Sequence, residues 1–159
     1  MIANIGNFHT LAFRLGPGGI EGIFEHHTGL LTLNKLESLL YSFADGGLSH
    51  DDVFGDHGHG ALIYEQEPLA FDDGGFNLVV TGPRRGMFDK TGDGEGETIE
   101  KRRSPLRPYF PAPFGDMMIT GCFGLLAAVA DVYPDLAGPI KESLGGSGGS
   151  GTPPWEISP

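Results

Sequence analysis

Apolar and polar positions alternate near the start of the chain, which is typical of short β-strands. Over residues 1–15 this alternation predicts two strands around a turn. Gly16-Pro17-Gly18-Gly19 is a strong turn signal, and a third strand is predicted over residues 20–25. Because such short connections suit antiparallel neighbours, the three strands are predicted to form an antiparallel meander.

The apolar spacing then changes to that of a helix, with Thr32 as its predicted N-cap. Gly46 and Gly47 are predicted to end this helix, because glycine readily adopts the left-handed capping conformation. Ser49, together with Asp51 and Asp52, predicts a second, short helical turn. The apolar positions of the first helix are Leu33, Leu36, Leu39, Leu40 and Phe43.

Strands and helices continue to alternate in the second half of the chain. Strands are predicted at residues 61–64, 77–81 and 109–110. An apolar helix is predicted over residues 116–130, buried on most sides, with Asp116 as N-cap and Pro134 beyond its end. The pattern therefore predicts an α/β fold, a mixed sheet with helices on its faces, in which ligands bind at the carboxyl ends of strands.

Length and composition predict one acidic domain and a tail. The 159 residues suit a single domain over residues 1–144, followed by a flexible Gly/Ser/Pro-rich tail over residues 145–159. The net charge of −11 argues against a nucleic-acid partner. No apolar run is long enough for a bilayer, so no membrane contact is expected. The single cysteine, Cys122, is predicted to be a small buried residue, and a cytoplasmic location is expected.

The first candidate binding segment is the turn between the first two predicted strands. A glycine there lets backbone N–H groups approach an anion, and the neighbouring polar side chains can donate hydrogen bonds. An ordinary hairpin turn is the alternative interpretation. The candidate residues are Asn4, Gly6, Asn7, His9 and Thr10.

The second candidate segment follows the strand predicted at residues 77–81. A hydrophobic strand there ends in a glycine turn with two cations, which suits a phosphate group or a nucleotide ring. A strand-terminating turn with solvated arginines explains the same residues. They are Thr81, Gly82, Arg84 and Arg85.

The third candidate is a divalent transition-metal site in the loop before residue 61. In an extended chain His57 and His59 point to the same side, with Asp56 within reach as a further ligand. His26 or His27 could complete such a site, but adjacent strand residues face opposite ways, so at most one of them joins. Solvated turn histidines are the alternative. For a metal-dependent hydrolase or transferase, the candidate proton carriers are His9 and Glu25.

Five segments spread over residues 4–128 give the chain its resemblance to a family of unknown function. They read NIGNFHTLAF, GIFEHHTG, GDHGHGA, LVVTGPRRGM and PAPFGDMMITGCFGLLAA. Members of that family are often labelled "putative pyruvate formate-lyase activating enzyme". A radical activating enzyme of that type holds an iron–sulfur cluster with three cysteines. With one cysteine this chain cannot supply that cluster, so none is expected.

The family in turn resembles the actin, sugar kinase and heat-shock chaperone ATPases. That resemblance implies a ribonuclease H-like lobe, a three-strand meander followed by αβ units, with ATP or ADP and Mg²⁺ as ligands. Residues 4–10 are similar to the phosphate turn, residues 79–85 to the segment beside adenosine, and residues 121–128 to the final helix. The usual acid of the phosphate turn appears here as Asn4, and the paired glycines appear as Gly6-Asn7 and Gly82-Pro83.

Three functional hypotheses follow. The first is a lobe that binds a nucleotide or another small phosphorylated ligand between the two glycine turns. The second is the metal-dependent hydrolase or transferase. The third is a non-catalytic dimerising or regulatory module, because the resemblance leaves a first lobe unaccounted for, and either that N-terminal lobe or a second copy of the chain would then be the partner.

Overall fold

The computed structural model of the chain describes residues 1–71, 74–88, 104, 106–111 and 117–143. It divides into two compact units, Met1–Met117 and Met118–Pro159. The predicted tail at residues 145–159 and the predicted N-cap Asp116 lie outside the described residues.

A six-stranded mixed sheet forms the first unit, so the predicted α/β class is confirmed. The strands are arranged in the order β4-β3-β2-β1-β5-β6. The pairs β1–β2, β2–β3 and β3–β4 are antiparallel, whereas β5 runs parallel to both β1 and β6. Their bounds are β1 Ile2–Ile5, β2 His9–Gly16, β3 Gly19–His27, β4 Gly60–Ile63, β5 Leu78–Thr81 and β6 Pro108–Tyr109.

These strand directions bring five strand ends to one edge of the sheet. The carboxyl ends of β1 and β5 lie side by side, because Asn4 is the register partner of Thr81. The start of β2 lies beside the end of β3, because His9 is the partner of His27. The start of β4 joins them, since Gly60 pairs with Glu25. We call this the carboxyl edge.

The predicted first helix is confirmed as α1, Leu33–Ala44, together with both of its ends. The Thr32 hydroxyl accepts a hydrogen bond from the Lys35 N–H at 3.3 Å. Gly46, with φ +74°, takes the left-handed conformation just after the helix. The buried side chains of α1 join one core with the sheet. They include Leu36, Leu40 and Phe43, which pack with Ala3, Ile5, Ala12 and Phe24.

The second short helix is also confirmed, as α2 at His50–Phe54. It begins with a capping box, in which Asp52 N–H donates to the Ser49 hydroxyl at 3.2 Å. In return Ser49 N–H donates to the Asp52 carboxylate at 2.8 Å. Buried Val53 packs α2 against the core, and the loop from residue 55 to residue 59 follows this helix.

The described part of the second unit is helical and corrects the expectation of burial. Cys122 is exposed, as are Leu125 and Val132, although the sequence predicted a helix buried on most sides. An apolar composition leads to burial only where a partner surface exists, and composition cannot specify that surface. Pro134 lies beyond the end of that helix, as the sequence predicts, and begins another helix at a position where its missing N–H costs nothing. These helices are α3 Met117–Val132 and α4 Pro134–Ser143.

None of the helices in the described ranges combines the length and the apolar content needed to cross a membrane.

Candidate functional site

Polar side chains collect on one face of the carboxyl edge. Neighbouring residues of a strand face opposite ways, and the neighbours Ile5, Thr10 and His26 are fully buried towards the core. The opposite face, which we call the open face, therefore carries a row of polar groups. They are Asn4, His9, Glu25 and His27.

The first predicted turn is tight and leaves two donors available. Gly6 N–H donates to the His9 carbonyl at 2.9 Å, closing the connection between β1 and β2. A Cβ at Gly6 would lie 2.7 Å from that same carbonyl oxygen, so the turn requires glycine. Within the described ranges, the backbone N–H groups of Asn7 and Phe8 donate to no backbone carbonyl. Both are therefore candidate donors to an anion.

The second predicted turn lies against the first. Arg84 N–H donates to the carbonyl of Ile5, the residue before Gly6, at 3.0 Å. Gly82 has φ +99°, and a Cβ there would lie 2.4 Å from the same Ile5 oxygen. Beside it Asn4 Nδ2 donates to Thr81 Oγ1 at 2.9 Å, which links the two parallel strands. The structure thus brings the Gly6 and Gly82 turns into direct contact.

The remaining residues of these two segments divide between the faces. Thr10 is fully buried, and its hydroxyl lies 3.0 Å from that of Thr28, below the turn rather than on the open face. Arg84 is exposed, whereas Arg85 is half-buried in a short 3₁₀ turn, Arg85–Phe88. Arg84 is therefore the side chain of the second segment best placed to reach a ligand from solvent.

Three histidines converge beside these turns, and we call them the histidine cluster: His9, His27 and His59. The ring centroids are 4.9 Å apart for His9 and His27, 5.0 Å for His9 and His59, and 4.7 Å for His27 and His59. One nitrogen from each ring lies within 4.8 Å of the other two. The Glu25 carboxylate lies 3.9 Å from His9 Nδ1. Such a group of imidazoles is a potential metal site.

The electrostatics of the cluster favour a neutral imidazole at its centre. Desolvation lowers the pKa of His27, and electrostatic repulsion from the neighbouring imidazoles of His59, His9 and His26 lowers that pKa further. Glu25 acts in the opposite direction. The ring of His27 therefore loses its proton at a lower pH than an ordinary histidine, and the neutral form is the one that binds metals.

The three metal ligands predicted in the loop, Asp56, His57 and His59, do not form one site in the structure. Asp56 Oδ2 lies 3.1 Å from Nε2 of buried His26 and also pairs with Lys35. His57 has φ +67°, so the chain is not extended there, and the geometry assumed for a His-x-His pair does not apply. His59 N–H then donates to the Glu25 carbonyl at 2.9 Å. The structure groups His59 with the ends of β2 and β3 rather than with Asp56.

Sequence reasoning considered every member of the histidine cluster but did not combine them. His9 was a candidate proton carrier, His27 one of two optional ligands, and His59 part of a loop pair. The available signal was positional, because His9 begins one strand and His27 ends the next, which a meander places opposite each other.

Asp56→Asn is expected to destabilise the first unit in a pH-dependent way. The Lys35 ammonium is the main cause that holds the pKa of Asp56 below its ordinary value of 3.8, and His26 adds to it. A lowered pKa contributes stability above the unfolded-state value, and that contribution is lost as the pH falls through the folded-state value. The melting temperature should therefore fall in the variant at pH 7, and the difference from wild type should vanish as the pH falls below 3.8.

Asp51→Asn, at an exposed aspartate of α2, is the matched control. Thermal unfolding followed by circular dichroism from pH 7 to pH 3 checks this prediction. A constant difference between Asp56→Asn and wild type over the whole range would contradict it.

A shallow depression of about 260 Å³ opens beside the histidine cluster. Its lining combines apolar side chains with the polar side chains of Glu25, His50 and His59. It offers room for a small ligand next to any group held by the cluster. The lining residues are Leu11, Ile23, Phe24, Glu25, His50, His59, Gly60, Ala61 and Leu62.

Comparison with known protein families gives a match. A family model described as "Putative pyruvate format-lyase activating enzyme (DUF1786)" matches residues 1–87, which include both glycine turns and the histidine cluster. No curated protein and no solved structure matches the chain.

Proposed function

This chain belongs to the family described as "Putative pyruvate format-lyase activating enzyme (DUF1786)", and from that premise we propose that its first unit binds a nucleotide or another phosphorylated ligand between the Gly6 and Gly82 turns. The observation that carries this proposal is the contact between the turns. Arg84 N–H donates to the carbonyl of Ile5, the residue before Gly6. Gly82 lies so close to the same carbonyl that an added Cβ would be 2.4 Å from its oxygen. Two distant chain segments thus offer one ligand a common position.

The donors at this position suit a phosphate group. The N–H groups of Asn7 and Phe8 lie in the first turn, and exposed Arg84 lies in the second. A guanidinium matches phosphate geometry with two parallel hydrogen bonds. The net charge of −11 repels anions, so a local cation is needed to bind one. Arg84 is therefore the residue on which phosphate affinity should depend most.

The arrangement of the sheet supports the same proposal. The resemblance to lobes of actin-like ATPases implies three antiparallel strands, then a helix, then strands parallel to the first strand. Apart from β4, the elements of the first unit follow this order. We propose that the first unit is a ribonuclease H-like lobe of that kind, with β4 as an addition next to β3. In open α/β sheets ligands bind at the carboxyl ends of strands, where the two turns lie.

The sequence differs from both the actin-like ATPases and the radical activating enzymes at residues that their reactions need. The proposal is therefore ligand binding, without ATP hydrolysis or radical chemistry. Asn4 stands where the actin-like ATPases that the chain resembles carry an acid, and its amide donates to Thr81. An uncharged amide is a weaker ligand than a carboxylate for Mg²⁺, so hydrolysis of ATP is not part of the proposal. A radical activating enzyme needs three cysteines for its cluster, and this sequence contains one.

Calorimetric titration tests the proposal with four probes: ATP, ADP, adenosine and inorganic phosphate, each with and without Mg²⁺. We expect saturable one-to-one binding of at least one phosphorylated probe and weaker binding of adenosine. If phosphate binds as well as ATP, the ligand is recognised by its phosphate alone. No heat with any phosphorylated probe would refute the proposal.

Arg84→Met is expected to weaken binding of the phosphorylated probe by about 10–100-fold, the effect of losing a hydrogen-bonded cation. Lys141→Met is the control, because it removes the same charge from an exposed side chain of α4. Equal losses in the two variants would mean that only net charge matters, and the assigned position would then be wrong.

A further inference from the structure

The residues of the histidine cluster lie at the ends of three neighbouring strands, so the hydrogen bonds of the sheet fix their backbone positions. His9 is the first residue of β2, His27 is the last residue of β3, and these two are register partners. His59 precedes β4 directly, and its N–H donates to the Glu25 carbonyl. The backbones of all three residues are thus held by hydrogen bonds of one sheet, while their rings meet on the open face.

The spacing of the rings is close to that of a metal site. Two imidazole nitrogens bound to one Zn²⁺ at about 2.0–2.1 Å lie about 3.3 Å apart. In the cluster the candidate nitrogens lie within 4.8 Å of one another. The side chains of His9 and His59 are exposed and that of His27 is half-buried. Small rotations of such rings close the remaining gap without moving the backbone.

We propose that His9, His27 and His59 bind a divalent transition-metal ion of the Zn²⁺ class, with the fourth coordination position open. Neutral imidazole nitrogens are ligands that Zn²⁺, Co²⁺ and Ni²⁺ share. Three protein ligands with one open position are characteristic of catalytic zinc sites, whereas structural sites use four. This proposal goes beyond the phosphate site, because its ligands lie on β2, on β3 and at the residue before β4, whereas the phosphate donors Asn7, Phe8 and Arg84 lie in the two glycine turns.

The surroundings supply what such an ion requires. Glu25 lies on the same face, with its carboxylate 3.9 Å from His9 Nδ1, where it can orient that ring as an outer partner. The depression beside His59 gives a small ligand room to reach the open position. His26 takes no part, because its buried ring faces the core and meets Asp56.

The nearby histidines provide matched controls for this proposal. His57 belongs to the same loop as His59, and the ring of His50 stacks on Phe54 with a centroid distance of 5.3 Å. Neither belongs to the histidine cluster. Replacing either one changes the histidine count by the same amount as replacing a ligand does.

Titration of the full chain, made without a polyhistidine tag, tests the proposal with Zn²⁺ and Co²⁺ in phosphate-free buffer. We expect one ion per chain and visible Co²⁺ absorption bands of a four-coordinate site. His9→Ala, His27→Ala and His59→Ala should each weaken Zn²⁺ binding by about a hundredfold or more. His50→Ala should leave it within about twofold, and so should His57→Asn, because asparagine tolerates the left-handed backbone conformation of residue 57. Circular dichroism and a second set of variants, with asparagine at each ligand, separate loss of ligands from loss of folding.

Two results would overturn the proposal. One is the absence of stoichiometric Zn²⁺ and Co²⁺ binding by the folded chain. The other is an equal loss of affinity in His57→Asn and His59→Asn, which would place the ion in the loop. Because the phosphate titrations can be repeated with a chelator present, failure of the metal site leaves the phosphate proposal to be judged by its own data.

Discussion

Gly82→Ala is expected to lower the stability of the first unit by about 2–4 kcal/mol and to abolish binding of phosphorylated probes. Gly82 has φ +99°, a conformation that an L-residue adopts only with strain. An added Cβ would also lie 2.4, 2.7 and 2.8 Å from the O, C and N atoms of Ile5. These are backbone atoms of β1, so relief requires β5 to move away from β1, which separates the two glycine turns.

Gly86→Ala is the matched control in the same segment. A Cβ at Gly86 would meet no atom within 4 Å, so this variant should unfold and bind like wild type. Chemical denaturation gives the free energy of unfolding, and calorimetry gives the affinity. Wild-type stability and binding in Gly82→Ala would show that the β1–β5 contact is not as tight as the structure has it.

Arg14→Met is expected to cost about 3–5 kcal/mol of unfolding free energy and about 10–20 °C in melting temperature. The Arg14 side chain is only 2% exposed. Its Nε donates to the Glu21 carboxylate at 3.2 Å, its Nη1 to the Ala44 carbonyl at 2.9 Å, and its Nη2 to the Glu67 carbonyl. Methionine fills similar volume but leaves all three acceptors without this donor.

The same residue ties separate parts of the first unit together. Arg14 connects β2 with β3, with the last turn of α1 and with the loop that follows β4. It lies towards the end of β2 that is remote from His9, so ligand affinity should change much less than stability. Arg84→Met, at an exposed arginine, should change stability by less than about 0.5 kcal/mol. Equal melting temperatures for the two variants would contradict the prediction.

Local signals were sufficient for the helices of the first unit. Thr32 and Ser49 bond to backbone N–H groups within three residues, and Gly46 takes its left-handed conformation next to the helix that it ends. Such interactions involve a few neighbouring residues, so the sequence specifies them directly. The prediction for Cys122 was wrong because burial depends on a surface from elsewhere, which no local pattern encodes.

In the candidate site, too, local sequence specifies the individual segments, whereas tertiary structure decides which of them meet. The two glycine turns were recognised one by one from their sequences, but their contact depends on β1 and β5 pairing in parallel across more than 70 residues. The histidine cluster depends on the β2–β3 register and on the turn at His57. A shift of one residue in that register would place His9 and His27 on opposite faces.

The sequence by itself determined the strand and helix segments of the first unit, the glycine turns and the supply of imidazole and guanidinium groups. It did so because caps, turns and apolar periodicity act over a few residues. Tertiary structure alone decided that the Gly6 and Gly82 turns touch, that His59 joins His9 and His27, and that Asp56 pairs with His26 and Lys35. These outcomes depend on strand order and register, which are set by how all the buried side chains pack at once.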